Sequence, residues 1–340
     1  MYLLTEITAM ESNGFKANRP LPFKDILLFP SKNLIYVIPS TVLFGLIGGY
    51  FVDTSSLKPL ILPTAVVLMV YSSMIGFNLR ELMHLQEKKI FFVSLFINFL
   101  LVLVVAYFLG VSFLFDSPGL FAGLAITSLL PTSNMTVALT MLSKRNVGAS
   151  IKVTVTSLIL GSVLAPWYLY FLIGKYVPVD RVLMLEIIGI TAFLPLIMGL
   201  LTFRYLTTRY TETEFNEKIK PLLPGICAWG AIFIIFVGIS TKSKTIFGNP
   251  DILAAALFVQ AVFYFINYVL AIAGCKLTGL CREDAYTLVY STVLRNLAIS
   301  TGLASALFGS QALFMVSLAF LFQPVAVVGF GKLNEKYHLL

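Results

Sequence analysis

The residues best suited to chemistry lie in Ser291-Thr-Val-Leu-Arg295-Asn296-Leu-Ala-Ile-Ser300, inside an apolar run extending roughly from Ala285 to Phe308. Such a run can cross a bilayer, which takes about 20 residues. Arg295 is the one Lys or Arg deep within any apolar run of the chain. A cation at bilayer depth costs about 2.5–3.5 kcal/mol, so one that persists faces a polar cavity and has a partner. Asn296 adds a donor and an acceptor, and Ser291, Thr292 and Ser300 add hydroxyls. Two roles fit this set. The planar guanidinium can seat a carboxylate, or it can be structural, held by a backbone carbonyl or by a lone acid such as Glu186.

A second polar cluster at membrane depth lies earlier, in Leu129-Leu-Pro131-Thr132-Ser133-Asn134. Pro131 removes a helix hydrogen bond, and the polar trio after it can satisfy the freed backbone groups. Asn98, Asn267 and Gln260 are further amides in apolar runs, where bonding between helices is the ordinary role and a place in the site the alternative. Gln323, before Pro324, reads as helix glue.

Other chemistries lack their residues. The two histidines, His84 and His338, sit in polar flanks, and Cys227, Cys275 and Cys281 have neither C-x-x-C spacing nor a nearby His. That argues against a disulfide framework, a zinc site or any resident cofactor. There is no G-x-S-x-G, Walker loop or H-E-x-x-H, so the chain does not read as an enzyme.

The elements that must carry these residues are membrane helices. Of 340 residues, 58% are hydrophobic and 12% charged, with a mean hydropathy of +0.92; this is an all-α polytopic membrane composition. The ten-residue alternation of a β-barrel is absent. The net charge of +8 reflects cytoplasmic Lys and Arg rather than a nucleic-acid partner.

Ten spans are expected, at about 33–52, 59–77, 89–110, 119–142, 150–174, 182–203, 221–240, 250–273, 284–308 and 310–331. A polar segment, 1–32, precedes them without the apolar core of a signal peptide, and a short tail, 332–340, follows. With this count one set of loops and flanks carries 18 positive residues, including Arg80, Lys144, Arg145, Lys218 and Lys276. The opposite face carries five: Lys58, Lys175, Arg181, Lys242 and Lys244. The positive-inside rule then places both termini in the cytoplasm, as expected of a multi-pass protein of the cell membrane.

The chain also repeats. Pro39 matches Pro195, Pro63 matches Pro224, Asn98 matches Asn267, Asn134 matches Asn296 and Pro166 matches Pro324, at offsets of 156, 161, 169, 162 and 158. Two repeats of five spans, 33–174 and 175–331, must insert in opposite senses because five is odd. Inverted repeats with interrupted helices near the midplane are the architecture of secondary transporters. The fourth and ninth spans are expected to be the broken pair.

The segments Leu142-Ser-Lys-Arg-Asn-Val-Gly-Ala-Ser150-Ile-Lys-Val-Thr154 and Tyr286-Thr-Leu288 through Asn296 resemble the bile acid–sodium symporter superfamily, which also includes arsenite permeases. The resemblance runs through nearly all ten spans and implies two inverted five-helix repeats, with helices 4 and 9 broken and crossing. For sodium-coupled members it implies ion ligands at Ser133 and Asn134, at the fifth-span hydroxyls Ser150 and Thr154, and at the third-span amide Asn98. A gap-free alignment on Pro131 would instead put Thr136-Val137 at the Ser-Asn pair.

The ninth span departs from the family pattern. Ser291 stands where the resemblance implies a Glu and Arg295 where it implies a Gln, while Asn296 is kept. Losing the carboxylate removes the charge a hard cation wants, and a guanidinium would repel one. Arg295 therefore either stands in for a sodium ion or binds an anionic substrate directly. In arsenite permeases the resemblance implies a fourth-span thiol, and the aligned residue here is Thr132.

The expectation is a secondary transporter of a small anionic organic solute by alternating access, as a monomer or homodimer in the lipid bilayer. Arg295, Asn296, Ser291, Thr132, Ser133, Asn134 and Asn98 would line its substrate site. Na+ or H+ would be the coupling ion, if any. Alternatives are a sodium-coupled organic anion symporter, an arsenite or antimonite efflux permease, and a receptor or channel-like facilitator on the same scaffold.

Overall fold

The computed structural model describes residues 23–54, 56, 58–75, 88–143, 145–177 and 180–337. Most of the polar segment 1–32, together with Arg80, His84, Lys144 and His338, lies outside the described residues, as do the side chains of Pro63 and Asn134.

Among the described residues the regular structure is helical. The first part of the chain contributes α1 (Phe23–Lys32), α2 (Leu34–Phe51), α3 (Lys58–Met74) and α4 (Lys88–Phe113). Next come α5 (Pro118–Leu129), α6 (Asn134–Leu142) and α7 (Val147–Ile173). After them the chain forms α8 (Val182–Arg209), α9 (Leu223–Ser240), α10 (Ser243–Gly248) and α11 (Pro250–Thr278). It ends with α12 (Arg282–Val293), α13 (Leu297–Leu303) and α14 (Gly309–Tyr337).

Seven helical stretches among the described residues are long and apolar enough to cross a membrane, against ten spans expected. The difference lies in where helices are interrupted or short. The expected fourth span is divided into α5 and α6, α12 stops twelve residues after it starts, and α3 has 17 residues. The longest stretch, Leu297–Gly331, contains Gly309 at φ +75°. Glycine tolerates this left-handed conformation at no steric cost, and it falls between the ninth and tenth spans expected from hydropathy.

The chain's ends depart from the sequence expectation. Residues Phe23–Lys32, assigned to a polar lead-in, form a helix whose Leu27 carbonyl lies against Gly225 of α9. The tail, expected from Lys332, stays helical to Tyr337. Asn334 there is buried and donates to the Tyr286 hydroxyl. Hydropathy registers only the apolar stretch, whereas this last turn is held by a polar contact.

Two groups of helices assemble around small residues. In one, α9 packs on α2 and α3, and α8 on α3; Gly45 of α2 and Gly230 of α9 let the backbones approach. In the other, α5 packs on α14, α4 and α7, while α11 packs on α12, α14 and α4. A β-carbon on Gly123 of α5 would sit 2.6 Å from the Ala312 carbonyl oxygen of α14. The groups meet where Gly302 of α13 lies against Val66 of α3 and Thr191 of α8, and where Ser317 of α14 lies against Gly238 of α9.

Candidate functional site

Two interruptions face each other. Helix α5 stops at Leu129 and the chain resumes as α6 at Asn134; α12 stops at Val293 and resumes as α13 at Leu297. Between these ends Pro131 and Arg295 pair as an isolated antiparallel bridge, and the Asn296 N–H donates to the Leu130 carbonyl at 2.9 Å. Pro131 cannot donate, so freed backbone groups of one break are satisfied by the other. Thr132 takes φ +62°, which costs a β-branched residue of order 1–3 kcal/mol and is kept where its surroundings enforce it.

Asn296 and Arg295, neighbours in sequence, serve different helices. The Asn296 side chain caps α13 by accepting the Ile299 N–H at 3.4 Å. The Arg295 side chain is fully buried and reaches α4, where Nη1 donates to Asn98 Oδ1 at 3.1 Å. Asn98 sits in a π turn, Ile97–Leu101, within α4; such turns are frequent at functional positions. Its Nδ2 donates to the Ser94 carbonyl at 2.9 Å and to Ser94 Oγ at 3.1 Å, and Ser94 Oγ lies 3.2 Å from Ser291 Oγ. Ser291, Ser94, Asn98 and Arg295 thus form one buried chain of polar side chains across α12, α4 and the second break.

The guanidinium is incompletely matched. Its Nε and Nη2 have no hydrogen-bond partner, and Cζ lies over the Phe263 ring at 6.0 Å from its centroid. Glu186 is exposed on α8 and takes no part. Gln323 of α14 donates from Nε2 to the Arg295 carbonyl at 3.3 Å, so it positions the break's backbone rather than the charge.

Asn98 apart, the residues aligned with ion ligands sit on the first break's side. Thr132 Oγ1 points to the Thr154 carbonyl of α7 at 3.5 Å, and the Ser133 N–H meets Thr136 Oγ1 at 3.4 Å. Ser150 and Thr154 are buried on α7, and their hydroxyls, like that of Ser133, have no partner. Asn134 opens α6. The structure therefore links Arg295, Asn98 and Ser291 through side chains, brings Thr132, Ser133 and Thr154 to the first break, and joins the sets through the backbone pair.

Ser94 was not among the residues singled out from sequence, and Thr136 entered only through the gap-free alignment on Pro131. Ser94 had a readable signal, since it lies one helical turn before Asn98 in an otherwise apolar stretch. The thiols lie away from the breaks: Cys227 is on α9, Cys275 on α11 and Cys281 ahead of α12.

A polar clasp covers one end of the site. Ser143 Oγ lies 3.2 Å from the Tyr290 hydroxyl, the Arg145 guanidinium lies over Tyr286 at 4.5 Å, and Asn146 Nδ2 donates to Asp284 Oδ1 at 2.7 Å. The Thr287 hydroxyl also donates to the Asn146 carbonyl at 3.3 Å. The turn between α6 and α7 is thereby tied to the first three turns of α12. In the linker between α8 and α9, the backbone N–H of Thr211 and then the Lys218 and Thr211 side chains hold the Glu214 carboxyl below its ordinary range.

Seven stretches among the described residues that are long and apolar enough to cross a membrane mark a multi-pass membrane protein. The pattern of the sodium bile acid symporter family matches residues 63–249, more than half of the chain. The protein belongs to that family, whose members are transporters. It is also similar to the uncharacterized protein YbaS of Bacillus subtilis (strain 168), at 21% identity over 303 residues covering 88% of this chain and 96% of that one.

Proposed function

We propose that this protein is a secondary carrier of a small organic anion, working by alternating access without sodium as an obligatory partner. The observation that carries the proposal is Arg295: a fully buried guanidinium whose one side-chain partner is the neutral Asn98, with Nε and Nη2 free. A desolvated charge without a counter-charge costs several kcal/mol, and a carboxylate on the free edge would supply both the charge and two charge-assisted hydrogen bonds. Asn98 and Ser291 orient that seat, and Asn296 with Thr132, Ser133 and Asn134 belongs to the two breaks that meet beside it.

The argument against sodium is electrostatic. Asn98 Oδ1, an oxygen the family resemblance assigns to an ion, accepts from Arg295 instead. The hydroxyls of Ser133, Ser150 and Thr154 remain as neutral oxygens, and among the described residues no buried carboxylate offsets the guanidinium's repulsion of a cation. A proton is the remaining candidate for coupling.

In this reading the two halves are inverted five-helix repeats, each interrupted pair counts as one broken span, and ten spans result. The group containing α4–α7 and α11–α14 rocks against α2, α3, α8 and α9. Counting charge across the loops puts the clasp of Arg145, Asn146 and Asp284 on the cytoplasmic side, where its opening would release the solute.

The test is uptake of labelled small carboxylates into proteoliposomes in matched sodium and potassium salts, with counter-flow to separate a carrier from a pore. Saturable, sodium-independent uptake that shows counter-flow and is lost in Arg295→Gln is expected. Strict sodium dependence, or unchanged transport by a folded Arg295→Gln protein, would refute the proposal.

A further inference from the structure

The free edge of Arg295 is not the only unmatched polar surface in this part of the protein. Gln260, Tyr264 and Asn267 follow one another at four and three residues along α11, a spacing that puts them on one face, and all three are buried. Gln260 donates from Nε2 to the Met315 carbonyl at 2.9 Å, but its Oε1 has no partner. The Tyr264 hydroxyl has none, and neither end of the Asn267 amide has one. On α14, Gln323 uses Nε2 on the Arg295 carbonyl and leaves Oε1 unmatched.

These groups are drawn together by stacking. Phe263 faces the Arg295 guanidinium, and Tyr264 stacks on Phe322, the residue before Gln323, at 5.9 Å and 13°. Burial alone does not force such a mismatch, because Tyr268, one residue past Asn267, finds the Ala326 carbonyl of the same α14. Each unsatisfied buried group is costly, so a stripe of them beside an unmatched guanidinium marks a place that another molecule completes.

We propose that this face of α11 is a second subsite, reading an uncharged oxygen of the solute whose carboxylate sits on Arg295. The proposal rests on the reading of Arg295 as the anion seat and adds the solute's class to it. Donors at Tyr264 and Asn267 and acceptors at Asn267 and Gln323 match a hydroxyl group close to the carboxylate. Arg295 is the one cation buried among the described residues, so a second carboxylate would have no counter-charge. The favoured solute is a hydroxy-monocarboxylate, ahead of a plain monocarboxylate or a dicarboxylate.

The experiment compares 2-hydroxybutyrate, butyrate and succinate as ligands of the purified full-length protein, by thermal shift and by isothermal titration, in wild type, Tyr264→Phe, Asn267→Leu and Arg295→Gln. The expected order in wild type is 2-hydroxybutyrate at least about tenfold tighter than butyrate, the value of one or two neutral hydrogen bonds, with succinate weakest. Tyr264→Phe, which removes a single oxygen, should erase most of that ratio while leaving butyrate affinity within about twofold. Asn267→Leu should do the same if it folds, and Tyr264→Phe decides if it does not. Arg295→Gln should abolish binding of both monocarboxylates.

Equal affinity for 2-hydroxybutyrate and butyrate, or a ratio preserved in Tyr264→Phe, would overturn the subsite while leaving the anion seat standing. No binding of any of the three acids to wild type would overturn the anion seat, and the subsite with it.

Discussion

Replacing Arg295 by methionine separates stability from function with opposite signs. In the ligand-free protein the guanidinium is buried with two nitrogens unmatched and one hydrogen bond to Asn98. Removing a cation from membrane depth returns about 2.5–3.5 kcal/mol. Against that, Asn98 Oδ1 loses its one donor and becomes an unsatisfied buried acceptor, at about 1–3 kcal/mol. The Asn98 amide keeps both bonds to Ser94, and methionine nearly matches the aliphatic stem in length and adapts to irregular gaps. The net is a stabilisation of about 1 kcal/mol, or about 2 °C in melting temperature at this chain length.

The ligand response moves the other way. A solute at 100 times its dissociation constant adds about 2.7 kcal/mol to the wild type. Truncating one side of a buried charge pair costs about 2–5 kcal/mol, at least about a 30-fold loss of affinity, so the variant's stabilisation should fall to about 0.9 kcal/mol or less. Differential scanning fluorimetry in detergent measures both quantities. The expected result is an Arg295→Met protein that melts higher than wild type without ligand and keeps at most about a third of its response to carboxylate. A ligand-free variant that melts several degrees lower would refute the reasoning, because it would mean that the guanidinium is already matched in the resting protein.

Further outcomes are expected elsewhere. Thr132→Gly relieves the left-handed strain at the first break and should be neutral to stabilising by about 1 kcal/mol, whereas Thr132→Val keeps the strain and should destabilise; thermal unfolding ranks the pair. Gly123→Ala drives a β-carbon to 2.6 Å from the Ala312 carbonyl oxygen and should cost about 1–3 kcal/mol, seen as a lower melting temperature. Asn146→Ala deletes the bond to Asp284 and should loosen the clasp, raising hydrogen exchange in the α6–α7 turn before any global unfolding. Because Glu214 has its carboxyl lowered in the folded protein, its stabilisation is present above the ordinary carboxylate range and fades as the pH falls through its lowered value. Glu214→Gln should therefore flatten the acid side of the stability profile of the α8–α9 linker, read by limited proteolysis across pH.

What the sequence made legible was whatever carries its own local signature. A lone Arg in an apolar run located the second break, Pro131 followed by three polar residues located the first, and hydropathy separated two spans where Gly309 turns the chain. The register between segments was not legible. Nothing in Arg295-Asn296 says that one side chain crosses to α4 while the other folds back to cap α13, because that depends on which way the chain leaves Val293. The positive φ of Thr132 runs against the preference of a β-branched residue and exists because the opposing break enforces it. The helical tail escaped for a related reason, since Asn334 reads as polar until Tyr286 is placed beside it.

The backbone pair between Leu130–Pro131 and Arg295–Asn296 bears on the direction of transport. In the proposed alternating-access reading, two helix ends joined main chain to main chain would travel as one piece, so the groups proposed to hold the solute would keep the same mutual arrangement whichever side of the membrane they face. A seat whose chemistry is unchanged by the trip binds equally well at both surfaces. In the proposed reading such a seat sets no direction of its own, and import or export would follow from the gradients of the solute, and of a coupled proton where one is carried, across the membrane.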